Sequence, residues 1–209
     1  MRIPTILGGV GKNPLDATAR VYIDTNVDEE FRSYAWMIAK HESKAGDRVY
    51  NQFNPSGSRK ELPNWGSPDG WGLCQIDRSA NTSPNDVIVT SEVYNWKTNV
   101  LAMNAVLSDK LNTCNRFIGY FRNTYGELPT WVEPDNVFTN IGGQSVSAKD
   151  WAVMTLYNGV EGVEESQVSG RRIRSPVVFL PQEGAWRFCR NTNDYVVVTV
   201  SDSLMEEEE

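Results

Sequence analysis

A row of apolar residues with helical spacing in the middle of the chain constrains the fold most. Between residue 92 and about residue 113 the row steps by three or four positions through Val93, Trp96, Val100, Met103, Leu107 and Leu111. This spacing is typical of a helix that buries one face. Apolar residues on both flanks of the row predict a central, heavily buried helix. A shorter helix is predicted after it, carrying Cys114, Phe117, Ile118 and Phe121.

An earlier helix is predicted from about Asp28 to Ser43, and its apolar row ends on an acid. The row consists of Phe31, Tyr34, Ala35 and Ile38, and Glu42 follows Ile38 by four residues. Glu42 therefore continues the buried row near the helix C-terminus, where the helix dipole disfavours negative charge. Desolvation acts in the same direction, so the pKa of this carboxyl group is expected to rise. Such a glutamate is either structural or a proton donor.

The remaining segments predict a single domain over residues 1–205, mainly α in class, with long loops on one side. Residues 1–26 are predicted to be an extended lead-in, and residues 46–90 are rich in turn-forming residues. Ser147 and Asp150 have the spacing of a capping box before a helix with Trp151, Met154 and Tyr157 on one stripe. The β-branched run in 193–204 favours a strand by propensity. Residues 206–209 form an acidic tail.

Composition excludes several classes of function. The chain has 209 residues, 40% of them hydrophobic, and a net charge of -7, which argues against nucleic acid as a partner. The only histidine is His41, expected to be partly exposed at a helix end, so neither a metal site nor a cofactor is predicted. Cys74, Cys114 and Cys189 allow at most one bridge. No apolar stretch is long enough to span a membrane. The protein is expected to be a monomer.

Two further carboxylates follow Glu42 in the turn-rich segment 66–79, "GSPDGWGLCQIDRS". It contains Asp69 and Asp77, and its glycines allow the backbone to approach a neighbour closely. Cleavage of a glycosidic bond needs one protonated carboxyl group and one ionised carboxylate. The two aspartates also have simpler explanations, because Asp69 suits a turn and Asp77 suits a cap.

The order of three motifs resembles that of the goose-type lysozymes and, more loosely, of the soluble lytic transglycosylases. These motifs are "IAKHESKAG", "NWGSPDGWGLCQIDRS" and "LYNGVEG", and they lie within residues 31–162. The resemblance implies a lysozyme-like α+β fold in which a helical core and long loops form a cleft for a glycan. It further implies a helix over 193–204. The connection over residues 112–148 is longer than is usual in the family.

The resemblance also implies roles for individual residues. Glu42 matches the catalytic acid and Asp77 matches the aspartate that holds the attacking water. Asp69 is the candidate for a second such aspartate. It lies closer to the glycine-rich segment, residues 71–77, than the second aspartate does in the family pattern. The positions expected to contact the substrate are Ser43, Trp71, Gln75, Tyr157 and Asn158. Cys74 replaces a buried methionine, so a packed, reduced thiol is expected there.

Together these features predict a muramidase that hydrolyses the β-1,4 bond between N-acetylmuramic acid and N-acetylglucosamine in peptidoglycan. Two alternatives stay open: a lytic transglycosylase that forms anhydro-muropeptides, and an inactive glycan-binding module of a phage or secretion apparatus. The first 14 residues make a poor signal peptide. Action on the cell wall, in the periplasm or outside the cell, would then require delivery by lysis, by a secretion apparatus or within a larger protein. An interbacterial toxin would have a neutralising immunity protein as its partner.

Overall fold

The structure is a computed structural model, and it describes part of the chain. The described residues are 12–43, 50–58, 60–66, 70–77, 93–126, 133, 135, 137–140, 145–158, 162–165, 172–175, 177–180, 185–188 and 198–199. The chain divides into two compact units, residues 1–105 and 106–209. Because the boundary falls inside one long helix, residues 96–125, that helix belongs to both units. The single domain over 1–205 stays a prediction.

The described part of the first unit is mainly helical and carries a small sheet. Its helices are α1 (Asp16–Asn26), a 3-10 turn (Glu29–Phe31), α2 (Arg32–Ser43) and the first part of α3 (Trp96–Tyr125). Three two-residue strands, β1 (Trp65–Gly66), β2 (Gly70–Trp71) and β3 (Ile76–Asp77), form an antiparallel sheet in that order. The sequence predicts that residues 46–90 are rich in loops. The described residues of this range also contain the small sheet.

Helix α1 corrects the prediction of an extended lead-in over residues 1–26. Ala19 and Ile23 are fully buried, and their four-residue spacing continues to Val27 just after the helix. Glycine and proline are frequent only up to Pro14, whereas the sequence from Asp16 onwards has an acidic first turn and a buried face. Helix α1 packs against α2. Residues 1–11 lie outside the described part of the chain.

The long central helix is confirmed, and it is one helix instead of two. Helix α3 runs through 30 residues, so the shorter helix predicted around Phe117 is its continuation. Val100, Met103 and Leu107 are fully buried, as the apolar row predicts. In the first unit, Asn104 ties this helix to the start of the 3-10 turn by two hydrogen bonds with Asp28, of 2.9 and 3.0 Å.

The second unit combines helices with short antiparallel strands. Helix α4 (Ala148–Asn158) follows β4 (Val137–Asn140) and β5 (Ser145–Ser147). Two hairpins come next, β6 (Gly162–Glu165) with β7 (Arg172–Ser175) and β8 (Val177–Leu180) with β9 (Ala185–Phe188). These strands were not predicted from the sequence.

The end of the chain corrects a second prediction. A helix over 193–204 was implied by the resemblance, but Val198–Thr199 form a strand, β10, that pairs antiparallel with β4. Val198 lies opposite Asn140, and Thr199 lies opposite Thr139. Branching at Cβ favours the extended backbone at these two positions. The strand propensity of this segment was therefore the better guide.

Helix α4 is buried on a different stripe from the predicted one. Its buried side chains include Ala152, Val153, Met154 and Leu156, whereas Trp151 and Tyr157 are only half-buried. The charges of Lys149 and Asp150 act on Cys114, which places the start of this helix beside the middle of α3. Burial raises the pKa of the Cys114 thiol to about 12.

The predicted capping box before α4 is confirmed. The Ser147 hydroxyl accepts a hydrogen bond of 3.0 Å from the Asp150 amide, and the Asp150 carboxylate accepts one from the Ser147 amide. We expect Ser147→Ala to lower the free energy of unfolding by about 1 kcal/mol, because a helix N–H loses its partner. Urea unfolding would measure this, with the exposed Ser56→Ala as the control. Equal stabilities of the two variants would contradict a stabilising cap.

Candidate functional site

Glu42 is the second-last residue of α2, at the end of the apolar row. Phe31, Tyr34 and Ile38 are at most 1% exposed, and Glu42 itself is half-buried. The preceding residue, His41, is exposed, as the sequence predicts. The structure therefore places the Glu42 carboxyl group where the buried face of the helix reaches its C-terminal end. A carboxyl group in such a position is partly desolvated but still accessible.

Ser43 ends α2 and lies in the interior. Its hydroxyl donates a 2.6 Å hydrogen bond to the Ala39 carbonyl. Its backbone carbonyl accepts a 2.8 Å hydrogen bond from the side-chain amide of Asn51. The residue is fully buried, so its side chain has no surface that a substrate could touch in this structure. In this structure Ser43 makes structural contacts at the helix end, and its predicted contact with the substrate stays a prediction.

Cys74 connects Glu42 with the glycine-rich segment. The thiol is in the reduced form and is fully buried. Burial raises the pKa of Cys74 well above its ordinary value, and the negative charge of Glu42 raises it further. The prediction of a packed, reduced thiol is therefore confirmed. Because the effect of a charge weakens with distance, the second effect indicates that the Glu42 carboxylate lies near the turn that carries Cys74.

The glycine-rich segment forms the three-stranded sheet, and Asp77 ends its last strand. Trp71 lies opposite Trp65 on one side and Ile76 on the other, while Gly70 lies opposite Asp77. Asp77 is half-buried and has no side chain opposite it across the strand pair. Asp69 lies outside the described residues. Two of the three predicted carboxylates, Glu42 and Asp77, therefore belong to α2 and to the adjacent glycine-rich segment.

Gln75 is half-buried and folds back over the sheet. Its side-chain amide donates hydrogen bonds to the backbone carbonyls of Gly72, at 2.8 Å, and Asn64, at 3.5 Å. A Cβ on Gly70 would lie 2.9 Å from the Gln75 side-chain oxygen, and one on Gly66 would lie closer still. A side chain at position 66 or 70 would therefore displace the Gln75 side-chain oxygen. Its predicted contact with a glycan stays a prediction.

The tryptophans of this segment contribute mainly to packing. Trp71 is 8% exposed, which leaves little of its ring for a sugar. Trp65 is half-buried, and Trp131 lies outside the described residues. The predicted substrate contact of Trp71 stays a prediction.

Two buried amides that sequence reasoning missed hold the turn between β2 and β3. We call the side chains of Gln52 and Asn99 the amide clamp. Asn99 accepts a 2.7 Å hydrogen bond from the Cys74 amide and donates one of 2.9 Å to the Trp71 carbonyl. Gln52 accepts a 3.0 Å bond from the Leu73 amide and donates one of 2.7 Å to the Val93 carbonyl.

The sequence does contain a signal for one member of the clamp. Asn99 follows Trp96 by three residues and precedes Met103 by four, so it lies on the buried stripe of α3. An amide on such a stripe needs partners for both of its ends. The need for two partners indicates that Asn99 hydrogen-bonds to backbone groups outside regular secondary structure. The sequence does not identify which part of the chain supplies those groups.

The remaining predicted site residues belong to the second unit. Tyr157 is half-buried near the end of α4, and Asn158 is the last residue of that helix. The side chain of Asn158 and residues 159–161 lie outside the described part of the chain. The groove that the sequence predicts, with Glu42 at its base and Gln75 and Tyr157 along it, stays a prediction.

Two features of the described residues bear on other kinds of function. In that part of the chain, no group of three or more His, Cys, Asp or Glu residues is arranged to hold a metal ion. None of the helices found there has the length and apolar character needed to cross a membrane.

Comparison with protein-family models, with curated proteins and with solved structures finds no match for this chain. The resemblance to goose-type lysozymes therefore depends on the three ordered motifs of the sequence.

Proposed function

We propose that the protein is a muramidase that hydrolyses the glycan strands of peptidoglycan, with Glu42 as the general acid. The observation that supports this proposal is the position of Glu42, half-buried at the end of the apolar row of α2. The charge of Glu42 acts on Cys74, which belongs to the same glycine-rich segment as Asp77. These two segments are the first two of the three motifs that resemble the lysozyme families.

Each carboxyl group has a separate task in the proposed reaction. Glu42 donates its proton to the glycosidic oxygen as the bond to the leaving sugar breaks. Asp77, assisted by Asp69, orients the water that attacks the anomeric carbon from the opposite face. Such an arrangement needs carboxyl groups separated by about 6.5 to 9.5 Å, and it inverts the anomeric configuration.

Digestion of purified sacculi, followed by mass spectrometry of the soluble fragments, tests the proposal. Hydrolysis releases fragments with a free reducing end and inverted configuration. Fragments lighter by one water would identify a lytic transglycosylase, in which the sugar's own hydroxyl replaces the water. Binding to sacculi without any release would identify an inactive glycan-binding module. The last two outcomes each contradict the proposed muramidase.

The role of Asp77 leads to a specific prediction. We expect Asp77→Asn to lower the rate of fragment release about tenfold to a hundredfold, because water then lacks its orienting carboxylate while the acid still works. The loss should be smaller than that of Glu42→Gln. Initial rates on sacculi would measure it, with Asp16→Asn, an exposed residue of α1, as the control. An unchanged rate for Asp77→Asn would leave this carboxylate only a structural role.

The substrate also determines where the protein would act. Peptidoglycan lies in the periplasm or outside the cell, so the proposed reaction would take place there. If the protein is delivered into competing bacteria, a neutralising immunity protein in the producer is the expected partner.

A further inference from the structure

We propose that the amide clamp, Gln52 and Asn99, is a positioning device that holds the Trp71–Gln75 turn in the conformation that the cleavage reaction needs. This inference rests on the proposed function. The two clamp residues are positioning residues, because they act through the turn and through Glu42.

The clamp uses both ends of both of its amides. Gln52 and Asn99 are fully buried, and their four hydrogen bonds engage the backbone of Trp71, Leu73, Cys74 and Val93. The Gly72 amide is held separately by the Asn64 carbonyl, at 2.7 Å. The peptide groups of this turn are therefore bound chiefly by groups distant in sequence. Buried amides with all partners in place restrict a backbone segment to one arrangement.

The turn that the clamp holds contains one unfavourable backbone conformation. The φ of +77° at Gly72 is one that glycine adopts readily, whereas Gln75 has a φ of +48°, a region that residues with a Cβ seldom occupy. Such a conformation persists only where the surrounding contacts determine it. Since Cys74 lies between these residues and beside Glu42, loss of the clamp would release the turn next to the proposed acid. The Gln75 amide and the strand of Asp77 would shift with it.

Removal of the clamp side chain of α3 tests this proposal. We expect Asn99→Ala to lower kcat on soluble glycan fragments about tenfold to a hundredfold while KM changes less than about threefold. Asn104→Ala is the matched control. Asn104 lies on the same helix and also makes two hydrogen bonds, but to Asp28. The control should lose stability and keep its kcat.

The conservative variant Asn99→Asp supplies a second readout. At about pH 5 the buried new carboxyl group is protonated, so it can donate to the Trp71 carbonyl and accept from the Cys74 amide. At about pH 8 its ionised form repels that carbonyl. Relative to the wild type at each pH, kcat should therefore be restored at the lower pH and lost at the higher one. A structural role without effect on the reaction would not produce this dependence.

The outcomes separate this inference from the proposed function. If the wild type releases no fragments, the proposed function fails, and a positioning role in cleavage fails with it. If the wild type cleaves and folded Asn99→Ala has a wild-type kcat, only the positioning role is overturned. Equal losses of kcat in Asn99→Ala and Asn104→Ala would overturn it as well. If Asn99→Ala does not fold, the pH dependence of Asn99→Asp decides.

Discussion

Glu42→Gln is expected to abolish fragment release from sacculi, with a loss of at least about a hundredfold and with the fold retained. Glutamine has nearly the same shape as glutamate but has no proton to give to the leaving oxygen. Because Glu42 is only half-buried, a neutral amide can occupy its place without a large cavity or an unpaired buried charge. Initial rates of fragment release from sacculi would measure the loss of activity. Circular dichroism of the variant would show whether the fold is retained.

The control for this variant is Glu30→Gln, which removes a carboxylate from an exposed position in the 3-10 turn before α2. It changes the net charge of the protein by the same amount and should keep wild-type activity. If Glu42→Gln cleared sacculi at nearly the wild-type rate, Glu42 could not be the general acid. If both variants lost activity equally, the effect would come from net charge.

Gly72→Ala is expected to have the largest effect on stability. Its φ of +77° strains any residue with a Cβ. The added methyl group would also lie 2.6 Å from the Asn99 amide nitrogen and 2.7 Å from the Gln52 amide oxygen. Neither atom can move without losing its hydrogen bond to the turn. Strain and overpacking together should lower the free energy of unfolding by about 2 to 4 kcal/mol.

Gly57→Ala separates the two contributions. Gly57 has nearly the same φ, +79°, but a Cβ there would meet nothing within 4 Å. This variant should therefore lose only the backbone contribution, about 1 to 2 kcal/mol. Urea unfolding of both variants would measure the difference. Equal losses at the two positions would mean that the amide clamp yields to a methyl group, which would also weaken the inferred positioning role.

The two central helices were predictable because helical burial leaves a local pattern. Two apolar rows repeat at three- and four-residue steps, and the structure buries them: one runs from Phe31, in the 3-10 turn, to Ile38 in α2, and the other from Val100 to Leu107 in α3. Helix α1 was missed because its buried pair, Ala19 and Ile23, is short and follows a segment rich in glycine and proline. A weak local pattern was outweighed by the composition of its neighbours.

The strands were harder to predict because their stability depends on pairing between distant residues. Val198–Thr199 form a strand against Val137–Asn140, about sixty residues earlier in the chain. Propensity alone favoured this strand, and the resemblance favoured a helix. The three short strands from Trp65 to Asp77 are only two residues long each, too short for an alternating pattern to be visible.

By itself, the sequence determined the two central helices, the capping box at Ser147 and the position of Glu42 at the end of a buried row. Only the tertiary structure decided that Ser43 is internal, that Gln75 lies over two glycines and that a buried amide pair holds the turn beside Glu42. The physical reason is the range of the interactions. Helical burial and capping join residues a few positions apart, whereas the clamp bonds of Asn99 span 25 and 28 residues and leave no repeating pattern.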